Sequence, residues 1–574
     1  MRKHIAILLI GVLFSVGVVG CASKDVATTN TNQSTTNSGK TAEELLVEKY
    51  EEPVKVKVVL GYRDPENPDT PDSVTPETQT AVKLLKEELN IELEYSWIVN
   101  SDQYSQKFGA ELAAGNLPDI MMLSMEQFED LQSQGGLGDL TEAYEQYRTD
   151  DIDAIINYDG QVLDTCRKDG KLYGLYNGTY QGQVTSQIYY DMNKLKELGI
   201  EEVSDLPTTI AEFETLCDKL MALDLDGNGR VGDPVLPAAK GMNSGLADFG
   251  AFFQAYETAL GGWYDDGNGN LISSHTQENM KKALTKLNEW YDKGYFAKDF
   301  AAQDVYAANA PIVSDIVAGK YAIIPGSWWI PNWPLNDNKK NDPDADWVVG
   351  PTLTVDGTAP TILVPRISSG TIVAVSKDFK NPEALFKMMN WSLNYEAKIA
   401  NPEYKENMTP EQKLEADSYV YTWLPYRVYA PMSLIDNYNF ISEADKAGKT
   451  EITAEEAPAN SEFWGAWNAY LQMKNGSTDP VVWGLYTSRV SPNGGVAQMY
   501  ELYSKSEKWI NEVYVTTPTM IKKQGELDKY ETTTFLSMVM GETPISDFDK
   551  FVAQWEQLGG SEIQAEVNEW YKNK

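Results

Sequence analysis

Ten consecutive residues, Asp224-Leu225-Asp226-Gly227-Asn228-Gly229-Arg230-Val231-Gly232-Asp233, carry the sharpest chemical pattern in the chain. Side-chain oxygens stand at the first, third and fifth places, a glycine at the sixth allows a tight turn, and the seventh, Arg230, offers its carbonyl. These are the donors with which a single loop wraps a hard cation. The far end departs from the EF-hand pattern, because the twelfth place holds Val235 where that loop has a bidentate Glu. Asp233 at the tenth place must then close the shell, with a water beside Gly232. The expected ion is Ca2+, since Mg2+ keeps several waters and is seldom wrapped this way. The alternative is a metal-free turn held by Asx side chains and glycines. A lone metal here brings no second metal and no general base, so its role is structural. The related stretch Asp265-Asp266-Gly267-Asn268-Gly269-Asn270 lacks the alternating spacing and reads as a hairpin turn.

Other chemistries find little support. The chain has two histidines, His4 and His275, and His4 falls in a leader-like segment, so a multi-histidine zinc site is excluded. No Walker loop, dinucleotide-binding glycine fingerprint or GxSxG elbow is present. Hydrolysis by two carboxylates needs no histidine and stays open. A net charge of −37 sets the surface against nucleic acid and anionic lipid, and more weakly against a polyanionic ligand.

The elements that must position the loop begin with an address. Arg2 and Lys3 precede the apolar run IAILLIGVLFSVGVVG, which is too short for a confident spanning helix and reads as a signal peptide over 1–20. It ends Val18-Val19-Gly20-Cys21-Ala22, which resembles the bacterial lipobox, in which the cysteine becomes the lipidated first residue. Residues 21–49 are rich in Thr, Asn and Ser and nearly free of aromatics, the composition of a disordered tether. At 574 residues, with 42% hydrophobic residues, the rest can bury more than one core. Cys166 and Cys217 allow one disulfide at most, and Cys217 lies within an apolar helical pattern that suits a buried thiol.

The body opens on VKVKVVLGYR (54–63), a period-two strand, followed by a proline-rich loop, the helical TQTAVKLLKEELN and the strand IELEYSWIV, together a βαβ unit. FGAELAAGNLPDIMML (108–123) repeats helix then strand, and QIYYDM (187–192) is strand-like before a helix closed by Gly199. The metal loop follows the amphipathic helix TIAEFETLCDKLMAL (209–223), with Thr208 or Thr209 as its N-cap. Gln277–Tyr291 and 384–393 read as helices, and 316–329 as helix end, strand and exposed loop. The last quarter reads as wholly helical, with Trp464, Trp467, Trp555 and Trp570 as packing residues. The fold class is α/β.

In serial order, VKVVLGYR, LAAGNLPDIMML, GLGDLTEAYEQY, KLYGLYNG, IYYDMNKLKELGI and GKYAIIPGSWW resemble the extracellular solute-binding proteins of carbohydrate ATP-binding-cassette importers. The tail from VYVTTPTM to VNEWYK is similar to their large Gram-positive lipoprotein branch, and the metal loop resembles that of the alginate-oligosaccharide-binding members. The resemblance implies a two-lobe periplasmic-binding-protein-like fold (type II). Its first lobe would take 50–185 and 355–445, its second 186–354 and 446–574, with ligand held in the cleft between closing lobes. It implies Ca2+ on Asp224, Asp226, Asn228, the Arg230 carbonyl and Asp233. The partners would be an oligosaccharide and a membrane permease, with the membrane met only through a lipid on Cys21, and the chain a monomer that meets no nucleic acid. The bottom-up expectation agrees, because open parallel sheets bind ligands at the carboxyl ends of their strands. A sugar ring offers an apolar face to aromatic rings and a rim of hydroxyls to polar groups. Candidate ligand contacts are therefore Tyr62, Arg63 and Asp64 after the first strand; Tyr176, Asn177 and Tyr180; Trp263; Trp328 and Trp329; and Trp423 with Arg427. A peptide-binding importer component and a secreted two-carboxylate glycosidase are the rival readings.

Overall fold

The computed structural model describes residues 39–573 apart from 63–69, 72, 159, 161, 179–182, 184, 308, 359–360, 366–369, 418–419, 429, 454–455, 459, 461 and 514. The signal peptide, Cys21, Arg63, Asp64 and Tyr180 lie outside the described residues.

Strand Val54–Tyr62 buries alternate side chains and pairs in parallel with Ile91–Asn100, from Val54 opposite Ile91 to Tyr62 opposite Asn100. Helix Thr80–Leu89 joins them, burying Ala81, Leu85 and Leu89 and ending at Asn90 in the left-handed region at φ 58°. Asp119 fastens the next strand: its N–H donates to the Lys57 carbonyl at 2.8 Å and its carboxylate accepts the Lys57 N–H at 2.8 Å. Strand Ile120–Leu123 then pairs antiparallel with Gly370–Val375, whose other edge pairs antiparallel with Gly174–Gly178. Val56, Val58, Phe108, Met121, Leu175, Val373 and Phe386 fill the core of this lobe.

The second lobe is built on Gln187–Asp191, flanked antiparallel by Ile323–Gly326 and Trp347–Val349. Phe213, Trp290, Phe535 and Trp555 pack beneath it from helices Ile210–Leu220, Glu278–Lys293, Pro518–Val539 and Phe548–Trp555. Thr209 caps the first of these in a reciprocal box with Glu212. The 265–270 turn joins the hairpin strands Trp263–Asp265 and Leu271–Ser273, as its composition predicts. The architecture is a two-lobe α/β fold of the periplasmic-binding-protein kind, and the chain visits each core twice.

Several expectations are corrected. Parallel pairing between strands is confined, among the described residues, to Val54–Tyr62 with Ile91–Asn100 and Ile362–Pro365 with Lys508–Asn511. Strand Gly370–Val375 re-enters the first lobe from the second and so runs against its neighbours. The last quarter is not all helical, since Lys508–Asn511 forms a strand in the ribbon between the lobes. Part of the expected tether is ordered: Thr41 caps helix Ala42–Val47, which buries Leu45 and Leu46. Buried Lys387 holds its end by donating to the Leu45 and Glu48 carbonyls. Ser433–Lys446 is a helix. That helix packs with Phe463–Lys474, Pro480–Arg489 and Gly495–Lys505, burying Trp464 and Trp467. Cys166 and Cys217 are both free and buried, and burial raises both thiols, Cys166 to about 12. Among the described residues no helix is long and apolar enough to cross a membrane.

Candidate ligand-binding site

Strand register identifies which end of each sheet meets the crossings. In the second lobe Gly326 pairs with Gln187, the first residue after the first crossing, so the loop after Ile323–Gly326 emerges at the crossing end. In the first lobe Gly178 pairs with Gly370, which places Asn177 at the corresponding end.

The second-lobe end is aromatic. The rings of Trp329 and Trp333 lie 6.3 Å apart and 17° from parallel, and those of Tyr306 and Trp333 lie 6.4 Å apart at 19°. Tyr306 is 62% exposed, and its hydroxyl donates to the Ser244 carbonyl at 2.6 Å. Gly245, at φ +82°, approaches so closely that a Cβ would meet Trp329 at 3.2 Å. The Ser327 N–H donates to the Gly245 carbonyl at 2.8 Å, fixing one loop to the other. Trp328 turns instead toward Val496 and Met499, with the Arg489 guanidinium 5.3 Å above its ring.

At the first-lobe end Tyr62 meets Trp423 edge to face, with ring centroids 5.7 Å apart. The Asn177 amide donates to the Arg427 carbonyl at 3.1 Å, so segment 420–428 links Asn177 to Tyr62 through Arg427 and Trp423. Trp423 is buried, and the Tyr176 ring is 1% exposed within the core, its hydroxyl pressed against Gly178. The Arg427 guanidinium is committed to the Glu396 carboxylate, Nη2 to Oε2 at 2.9 Å, in a buried pair. Trp263 belongs to neither group; its backbone N–H donates to Asn511 Oδ1 at 3.2 Å in the crossing ribbon. Sequence reasoning missed Trp333 and Tyr306. The first was legible in WWIPNW, whereas nothing near Tyr306 in the chain marks it.

In the 224–233 loop, glycines 227, 229 and 232 adopt φ of +69°, +82° and +87°. Asp224 accepts the N–H groups of Asn228 and Gly229 at 2.9 and 2.8 Å, and Asp226 that of Asn228 at 3.2 Å. Asn228 accepts from the Arg230 N–H and donates to Asp233, both at 2.8 Å. Among the described residues no three His, Cys, Asp or Glu side chains converge as a metal cluster. The donor set of three carboxylates, one amide and the Arg230 carbonyl is all oxygen, which suits a hard cation.

Two lobes joined by a crossing ribbon, with polar and aromatic groups at the facing sheet ends, define a protein that captures a ligand between its lobes. The model of the bacterial extracellular solute-binding protein family matches residues 68–399, more than half of the chain, and the chain belongs to that family. It is 22% identical over 291 residues to an uncharacterized protein in the butB 5′ region of Niallia circulans, covering 50% of this chain and 98% of that one. It is 26% identical over 241 residues to the polygalacturonan/rhamnogalacturonan-binding protein YtcQ of Bacillus subtilis (strain 168), covering 39% of this chain and 43% of that one. The chain thus spans less than half the length of that relative. Among solved structures, an extracellular solute-binding protein of Bifidobacterium longum subsp. infantis aligns with a TM-score of 0.57 and 14% identity over 94% of this chain and 99% of that one. The alginate-binding protein AlgQ2, solved without calcium ion, aligns with a TM-score of 0.54 and 14% identity over 91% of this chain and 99% of that one. These similarities establish the fold.

Proposed function

We propose that this chain is the extracellular capture component of an ATP-binding-cassette importer, binding an oligosaccharide between its lobes and delivering it to a membrane permease without catalysis. The observation that carries the reading is the strip of Tyr306, Trp333 and Trp329, near-parallel rings at the crossing end of the second-lobe sheet. Such rings match the C–H faces of successive sugar units. Relatives named as binding alginate, polygalacturonan and fructo-nystose support a glycan ligand. Ligand that prefers the closed arrangement shifts the population toward it, and that form is the one a permease reads. Lipidation of Cys21 keeps the monomer at the outer face of the membrane, and Ca2+ in the 224–233 loop serves stability. The test is a thermal-shift screen against neutral and acidic oligosaccharides and short peptides. The expected outcome is a concentration-dependent rise with a glycan and no product over hours; a rise with peptides alone, or cleavage of the glycan, refutes the reading.

A further inference from the structure

The loop that carries Trp329 and Trp333 is fixed to the helices behind it through two close approaches. A Cβ on Gly484, in helix Pro480–Arg489, would come within 2.6 Å of the Pro331 carbonyl, and one on Gly495 within 2.1 Å of the Trp328 carbonyl. Arg489, the last residue of that helix, thereby lies over the Trp328 ring, its guanidinium carbon 5.3 Å from the centroid. Trp328 and Trp329 are consecutive, so this cation and the aromatic strip share one loop at the crossing end of the second-lobe sheet.

The guanidinium is held from behind and left with donors to spare. With its oxygen toward Arg489, the Asn332 amide accepts from Nη1 at 2.6 Å and donates to the Gly484 carbonyl at 3.1 Å. Nη1 also donates to the Ser488 hydroxyl at 3.0 Å. Among the described residues Nη2 and Nε meet no hydrogen-bond acceptor, since Glu462 Oε2 stands 3.8 Å from Nε, beyond hydrogen-bond reach. Both side chains keep contact with solvent, 17% of Arg489 and 43% of Glu462 being exposed. Arg427 shows the contrast, its Nε and Nη2 both bound to Glu396.

A donor and an acceptor set this far apart suit a group that can both accept and donate. A hydroxyl is such a group, and an oxygen about 2.9 Å from each of the two atoms fits between them. Both bonds would be charge-assisted and so stronger than neutral ones. A ligand carboxylate accepts only, and in that place it would meet the Glu462 carboxylate.

Resting on the oligosaccharide reading, we propose that Arg489 and Glu462 together seat one hydroxyl of a sugar unit beside the strip, the hydroxyl oxygen accepting from Arg489 and its proton going to Glu462. Trp328, Asn332 and Ser488 position the guanidinium for this contact. The pair is a specificity determinant, because a unit lacking that hydroxyl leaves a donor and an acceptor unmatched.

The test is calorimetric titration of the full chain with kestose, mannotriose, maltotriose, cellotriose, xylotriose and trigalacturonate, the tightest binder being carried into the variants. Glu462→Ala is expected to weaken it about 10-fold. The melting temperature of that variant without sugar should stay near the wild type, because a loose, half-exposed ion pair contributes little. Arg489→Met, which keeps a stem over Trp328 and removes the donors, should weaken the sugar at least as much. The double variant should bind about as weakly as the weaker single variant, not at the roughly 100-fold product, because one hydroxyl serves both side chains. Wild-type affinity in either single variant, tighter binding in Glu462→Ala, or fully additive losses in the double variant would overturn the inference while the oligosaccharide reading stands. Failure of all six probes to bind the wild type overturns that reading and the inference with it.

Discussion

Trp509 stacks on Tyr264, the ring centroids 4.7 Å apart and the planes 10° from parallel. Trp509 belongs to the ribbon strand Lys508–Asn511 and Tyr264 to a second-lobe hairpin, so the ribbon is clamped to the second lobe. Gly262 strengthens the clamp, since a Cβ there would come within 2.2 Å of Leu363 in the neighbouring strand. Trp509→Ala is expected to cost about 1–3 kcal/mol in urea unfolding, from the lost stack and its burial. In small-angle scattering it should also broaden the unliganded distribution of lobe separations; an unchanged distribution would mean that the clamp does not govern the hinge.

The aromatic strip makes a sharper claim about affinity. Trp333→Ala removes the central ring of three and should weaken the oligosaccharide found in the screen about 5- to 30-fold in calorimetry, since a buried ring face contributes on the order of 1–2 kcal/mol. Tyr306→Ala, at a position 62% exposed, should weaken it less and leave the melting temperature of the sugar-free chain nearly unchanged. Equal affinities in wild type and Trp333→Ala would remove the strip from the binding surface.

Much of the scaffold was legible because local pattern and final environment agree. Val54–Tyr62 alternates in sequence and in burial, Thr209 caps the helix it precedes, and Trp464 and Trp467 pack as their helical spacing predicts. Lys508–Asn511 was not legible: a four-residue strand owes its form to Ile362–Pro365, far away in the chain, and carries no alternation of its own. The site divides the same way. Trp329 follows a recognisable strand and loop, whereas Tyr306 reaches the strip only because its hydroxyl is held by Ser244 in another loop. Tyr176 and Arg427 stood at promising places in the sequence, but the core claims the ring and Glu396 claims the guanidinium.

The metal loop yields a stability test that is independent of sugar. If Ca2+ binds the folded loop alone, ion at 100 times its dissociation constant adds about 2.7 kcal/mol. Chelation should then lower the melting temperature of the wild type and leave Asp226→Ala insensitive, since that change removes one oxygen donor. The variant without ion should match the chelated wild type. A wild type indifferent to both chelator and added Ca2+ would leave the loop as the turn that its own hydrogen bonds already describe.

Glu129 gives a pH dependence whose sign is fixed by burial. Its carboxylate, on first-lobe helix Met125–Ser133, accepts the Thr516 N–H at 3.2 Å, across to the segment that leads into second-lobe helix Pro518–Val539. Burial pushes its pKa up from 4.5 to about 7, and the neighbouring Asp130 and Glu126 add to the rise, while the Thr516 bond opposes it. Between those two pH values the folded chain binds more of this proton than the unfolded chain does, so the contribution to stability falls as pH rises. It is fully present below the unfolded value and lost as pH passes through about 7. Glu129→Gln keeps an acceptor for Thr516 and removes the charge. It should therefore melt near the wild type at about pH 4 and above it at about pH 8. A Gln variant that melts below the wild type at the higher pH would show that the ionised carboxylate, through its bond to Thr516, stabilises the contact between the lobes.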